Sequence, residues 1–235
     1  MSIPRLFASS ITRAASRPHI TRVVVNNNKF ATGRIRIAAM STISEVITKD
    51  HRELEQYYNE VINSDDVDHQ TRFGNQFTWE LARHSVAEEL LVYPAMEKYV
   101  GKEGHEHAEK DRKQHHQVKE FLKEFQNMKA TDSNYVPKLK ELWTFLGEHI
   151  KEEERDDLPI LEKALSSPEN KGASESLAKN FGRTKMLVPS RSHPSAGENP
   201  LFEGPMGMLA APIDHIADIF RKFPEGTINP NPSTK

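Results

Sequence analysis

Apolar side chains recur at threes and fours over four long stretches of the chain, and each stretch predicts an amphipathic helix. Over residues 42–62 the stripe is Ile43, Val46, Ile47, Leu54, Tyr57, Tyr58 and Val61, broken by Asn63-Ser64-Asp65-Asp66. Over 69–99 Phe73, Phe77, Leu81, Leu91 and Ala95 set the phase. Pro94 is expected to bend that helix, and Gly101 to stop it. Over 105–129 the stripe is Ala108, Val118, Leu122 and Phe125, followed by the turn Thr131-Asp132-Ser133-Asn134. Over 136–165 it is Leu139, Leu142, Leu146 and Ile160, with Pro137 in the tolerant first turn. Four such helices with short connections imply an all-α fold, an up-down-up-down four-helix bundle over 41–165.

The flanks read differently. Residues 1–44 contain no Asp or Glu but carry Arg5, Arg13, Arg17, Arg22, Lys29, Arg34 and Arg36. That composition marks 1–40 as a mitochondrial transit peptide or a disordered basic tail. A start at Met40 would give a cytoplasmic form. Residues 166–205, rich in Ser, Pro, Gly and Asn, read as a linker. Then Leu209, Ile213, Ile216, Ile219, Phe220 and Phe223 predict a short amphipathic helix over 206–223 that packs back on the bundle, and a polar tail follows.

The apolar stripes carry polar residues of one chemical kind. His84 and Glu88 lie on the second stripe and His149 and Glu153 on the fourth; His51 and His115 lie on the first and third. His84–Lys98 and His149–Lys163 are copies of one pattern: counted from each His, Glu stands at +4 and +5, Pro at +10, Glu at +13 and Lys at +14. A His and a Glu four apart share a helix face. Helix one also matches helix three in the offsets of His51, Leu54 and Tyr58 against His115, Val118 and Leu122. The bundle therefore reads as two hairpins related by a pseudo-two-fold, each giving one His from its first helix and His-x-x-x-Glu from its second. Six ligand-type side chains inside one core are costly to bury unless they are compensated, and metal ions compensate them. Glu89 and Glu154 stand one position off the stripe and read as hydrogen-bond partners or surface residues. His105, His107 and His116 read as surface, and His69, His193 and His215 as loop or tail. With no Cys among 235 residues, thiolate sites and disulfides are excluded; the net charge of −2 implies no bulk attraction to nucleic acid. No apolar run reaches the length of a membrane span.

His51, His84-x-x-x-Glu88, His115 and His149-x-x-x-Glu153, with the Glu-Glu and Tyr-Pro or Leu-Pro neighbours, resemble the hemerythrin-like, or HHE cation-binding, family over about 43–165. The tail, with Ser192-His193-Pro194 and Ala211-Pro212-Ile213-Asp214-His215, resembles the extension of fungal members. The resemblance implies a non-haem di-iron centre, two iron ions bridged by carboxylates and a solvent (oxo) oxygen, and a small ligand such as dioxygen or nitric oxide. The oxygen carriers of that family place two His four apart on the third helix. Here His115 has Lys119 at +4 and Asp111 at −4, which makes Asp111 a substitute candidate and puts reversible oxygen carriage in doubt. No pattern marks a nucleophile or a dedicated general base, which favours a binding or sensing protein over an enzyme. The alternatives are a di-iron oxidoreductase acting on peroxide, nitric oxide or a small substrate, and an interaction bundle with incidental metal.

Overall fold

The computed structural model describes residues 41–194, the helix backbone from 200 and the segment that follows it to 230. The expected presequence lies outside the described residues. Among the described residues every regular element is helical. The elements are α1 (Ile43–Ile62), α2 (Val67–Ala87), α3 (Tyr93–Tyr99), α4 (Lys102–Phe125), α5 (Tyr135–Glu152), α6 (Leu158–Leu165), α7 (Ala173–Lys185) and α8 (Pro200–Asp218).

Local chemistry accounts for the helix ends. Thr42 caps α1 in a reciprocal capping box: its Oγ1 accepts from the Glu45 N–H, and the Glu45 carboxylate accepts from the Thr42 N–H at 3.0 Å. Asp66 caps α2 by accepting from the Asp68 and His69 N–H groups. Gly101 adopts φ +84°, a conformation open to glycine, and so lets α3 turn directly into α4.

No simple bend was needed at Pro94. One π-turn, Glu88–Val92, joins α2 to α3, and a second, Glu153–Asp157, joins α5 to α6. In each, the N–H before the proline bonds to the carbonyl five residues back, Tyr93 to Glu88 and Leu158 to Glu153. Pro94 and Pro159 lack an N–H and crowd the carbonyl four residues earlier. A wider turn relieves that crowding, and each copy of the repeat meets it in the same way.

Two apolar clusters fill the core. One contains Leu54, Phe77, Leu81, Leu122, Phe125, Leu139 and Leu142; the other contains Ile43, Ile47, Val92, Tyr93, Met96, Leu161 and Phe181. The ligand-type residues belong to neither. Phe181 comes from α7, inside the segment expected to be a linker. Ser174, Ala178, Phe181 and Lys185 form the buried face of α7. Ser174 Oγ ties this helix down, accepting from the Ile43 N–H at 2.9 Å and donating to Glu162 at 3.0 Å.

The C-terminal helix departs from expectation in its face. Ala211, Asp214 and Asp218 of α8 are buried, whereas Leu209 and Ile213 are each 70% exposed and Ile216 61%. The polar side is the docked one: Asp214 accepts from His193 at 2.9 Å, Asp218 accepts from Ser190, and His215 Nε2 donates to the Val188 carbonyl. Beyond it, Phe223 is fully buried with its ring 6.3 Å from that of Trp79, and Gln76 donates to the Ile228 carbonyl. Part of the expected polar tail is therefore bound to α2. No described helix is long and apolar enough to cross a membrane.

Candidate metal centre

His51 on α1, His84 on α2, His115 on α4 and His149 on α5 converge with Glu88 and Glu153, the first residues of the two π-turns. All six are at most 3% exposed. The rings form two edge-on pairs, His51 with His84 at a centroid separation of 5.0 Å and His115 with His149 at 4.7 Å. Each carboxylate lies beside one ring of each pair. Glu88 is 3.1 Å from His84 Nε2 and 3.4 Å from His115 Nε2; Glu153 is 3.2 Å from His51 Nε2 and 4.0 Å from His149 Nε2.

The outer nitrogens explain why the inner ones face each other. Each Nδ1–H is directed at an oxygen: His51 at Glu154 (2.9 Å), His84 at Asp50 (3.2 Å), His115 at Glu89 (3.2 Å) and His149 at Gln114 (2.9 Å). An acceptor at Nδ1 orients each ring so that Nε2 faces inward, where it offers a lone pair once the imidazole is neutral. The Gln114 amide is oriented by donating its own Nε2–H to Glu152 at 2.7 Å, so its oxygen is the atom left for His149. The +5 Glu of each copy thus holds a His on a different helix. Tyr93, fully buried, places its hydroxyl 3.0 Å from His115 Nε2.

Several inward atoms find no hydrogen bond: His51 Nε2, both Glu88 oxygens, Glu153 Oε2 and Asp111 Oδ2 are buried and unsatisfied. His115 Nε2 and His149 Nε2 sit 3.0 Å apart, two ring nitrogens aimed at one point. Buried polar atoms are normally paired. A cluster of orphans at one place is what a cation would satisfy, and the donor set, imidazole plus carboxylate, suits iron, zinc or manganese.

The electrostatics are those of a crowded acid and base cluster. Burial, then the charge of Glu153, raises Glu88 above the ordinary carboxylate range. Burial alone would raise Glu153 too, but the close approach of the His51 imidazole and the charges of the other nearby imidazoles hold it low. His84 overcomes its burial through Glu88 and Asp50 and is raised to about 10, whereas burial and the His115 charge push His149 down to about 3.

Asp111 is 1% exposed on the His115 side of the centre, and burial together with Asp157, Glu153 and Glu88 raises it to about 8. Beside it Asp157 is also buried and pairs with His107 Nδ1. His107 is therefore turned toward a buried carboxylate, where a surface position was expected. His116 is half exposed beside Glu120, and His105 is exposed as expected. Asp50 and Gln114 escaped the sequence reading, and Tyr93 entered it only as the neighbour of Pro94. The first two had a signal, since each directly precedes the lone His of its hairpin.

The fold and the paired His and Glu clusters define a helical protein with a buried site that could hold metal. Comparison with known proteins agrees: the model of the hemerythrin HHE cation-binding domain matches residues 42–161. The chain is 52% identical over 185 residues to an uncharacterized hemerythrin-like protein of Schizosaccharomyces pombe, covering 79% of this chain and 89% of that one. No solved structure matches. The chain belongs to the hemerythrin HHE cation-binding family.

Proposed function

We propose that the chain is an up-down-up-down four-helix bundle that holds two iron ions and binds or senses a small diatomic ligand, dioxygen or nitric oxide. One ion is assigned to His51 and His84 and the other to His115 and His149, with Glu88 and Glu153 shared. The observation that carries this reading is the placement of each carboxylate beside one imidazole of each pair. Shared carboxylates with imidazoles on either side suit two cations better than one. Iron supplies a redox-active Lewis acid with room for a small ligand. The chain's residues orient the imidazoles through Nδ1, exclude water with the two apolar clusters, and leave Asp111 as a protonated carboxyl or a further ligand on the His115 side.

A second reading, a di-iron oxidoreductase acting on peroxide, nitric oxide or a small substrate, draws on a separate feature. A cavity of about 520 Å³ lies between α2, α4 and the segment 189–194, and Glu89 and Lys119 line it. Glu89 also holds His115, so the cavity reaches the outer side of the centre. Iron analysis and spectroscopy of anaerobically purified protein, followed by exposure to dioxygen, nitric oxide and peroxide, separate the two. Stoichiometric binding without turnover supports the first reading; sustained peroxide or nitric oxide consumption selects the second; folded protein that takes up no iron defeats both.

We further propose a mitochondrial location, from the acid-free, arginine-bearing sequence before residue 45. A mature N-terminus well past Met1 in isolated mitochondria supports it. An intact Met1, or a start at Met40, opposes it.

A further inference from the structure

The two halves of the centre are related position by position. Asp50, His51, His84, Glu88 and Glu89 correspond to Gln114, His115, His149, Glu153 and Glu154. Four of these five pairs keep their chemistry. The fifth does not: a carboxylate holds His84, and a neutral amide holds His149.

What surrounds the odd pair also differs. Gln114 leans on Glu152, which in turn takes Lys110 at the surface. Asp50 is 5% exposed and is met by the ammonium of Lys185, the last residue of α7, itself only 8% exposed. The same Nζ contacts Glu80, whose other oxygen accepts from Arg83 at 2.6 Å. One turn earlier on α7, the Phe181 ring stands edge-on to His84, with centroids 5.8 Å apart. Phe181 and Lys185, four apart on one helix face, therefore cover the ring and the partner of a single imidazole. On the other half, none of the described elements plays the part of α7.

We propose that Lys185 is a positioning residue for the metal centre, acting through Asp50 to fix His84, so that docking of α7 and metal binding at the His51–His84 position are coupled. The physical argument is geometric. Asp50 has two possible directions, toward His84 or away toward solvent and Lys49 beside it on α1. The Lys185 ammonium meets the same Asp50 oxygen that accepts from His84, so it pins that oxygen against the ring and partly offsets its charge. Without Lys185 the ammonium that bridges Asp50 and Glu80 is gone, Arg83 remains with Glu80, and the two carboxylates would repel. The expected response is an outward turn of Asp50, which frees the His84 ring. Outer partners of metal-binding imidazoles commonly contribute 10- to 100-fold in affinity.

The proposal rests on the two-metal reading, and the test keeps the two apart. Fe(II) is titrated anaerobically into the metal-free full chain, and release to a chelator is followed, for wild type, Lys185→Met, Lys185→Arg, Asp50→Asn and the Asp50→Asn/Lys185→Met double variant. Thermal unfolding is recorded in parallel. Lys185→Met should weaken one of the two binding steps by about 10- to 100-fold and leave the other unchanged. Lys185→Arg should restore most of the loss. In the Asp50→Asn background, which imitates the Gln114 half, Lys185→Met should cost nothing further, the signature of action through Asp50. Lys185→Gln, which keeps a donor, replaces Lys185→Met if that variant does not fold. Unchanged binding in Lys185→Met, equal weakening of both steps, or an undiminished effect in the Asp50→Asn background overturns the proposal. Wild type that takes up no iron refutes the two-metal reading itself.

Discussion

Asp111 offers a prediction whose size follows from its surroundings. In the metal-free protein its carboxyl is buried, one oxygen lacks a partner, and three carboxylates stand nearby. These raise it from the ordinary 3.8 to about 8. A raised carboxyl contributes stability fully below its unfolded value, and that contribution is lost as pH rises through the folded value. Between those limits the folded chain keeps a proton that the unfolded chain has released, which costs about 1.4 kcal/mol per pH unit. From pH 4.5 to 7.5 this comes to about 4 kcal/mol, an upper figure, since water entry and relaxation soften a buried charge. Asn in its place cannot titrate. Urea unfolding of chelator-treated protein should show Asp111→Asn close to wild type at pH 4.5 and more stable by about 2–4 kcal/mol at pH 7.5, a midpoint shift on the order of 1 M. A wild-type-to-Asn difference that is the same at both pH values would refute the reasoning, because a lost hydrogen bond or a packing change has no such slope.

Three further outcomes are expected. His84→Ala and His149→Ala should each lower iron stoichiometry, whereas His116→Ala, half exposed beside Glu120, should leave it intact; equal loss in all three would mean the α4 phase is misassigned. Iron uptake near pH 7 should release protons, measurable with a pH indicator, because His84 is held protonated up to about 10 in the metal-free chain and binding displaces that proton. Uptake without proton release would contradict that account. Phe77→Ala, emptying a fully buried position in the cluster below the centre, should cost about 3–5 kcal/mol in chemical denaturation; a cost under about 1 kcal/mol would mean that the cluster is loosely packed there.

The long amphipathic stretches were readable because a stripe of Leu, Phe and Ile has one good solution, burial against its neighbours. The inward His and Glu were readable because they interrupt those stripes in phase. What the repeat could not convey was its backbone. Pro94 and Pro159 signal a disturbed turn, but whether a helix answers with a bend or with an added residue depends on packing around it. Glu89 and Glu154, off the stripe by count, lie at the start of the two π-turns and hold imidazoles on other helices. Helix α7 was hidden for a different reason. Its buried face is Ser174, Ala178, Phe181 and Lys185, with one large apolar residue among small and charged ones. A lysine gives no hydrophobic signal, yet it is buried here because Asp50 and Glu80 await it. The face of α8 was misjudged by the same rule reversed: Asp214 and Asp218 found partners in His193 and Ser190, and the apolar side was left outward.

The central claim is that two cations sit between the paired imidazoles. Anomalous scattering at the iron edge, from crystals of the full chain grown after anaerobic iron loading, tests it most directly. The account predicts two peaks per chain, one against His51 and His84 and one against His115 and His149, with Glu88 and Glu153 reaching both. A single peak, or peaks away from these four imidazoles, would contradict it.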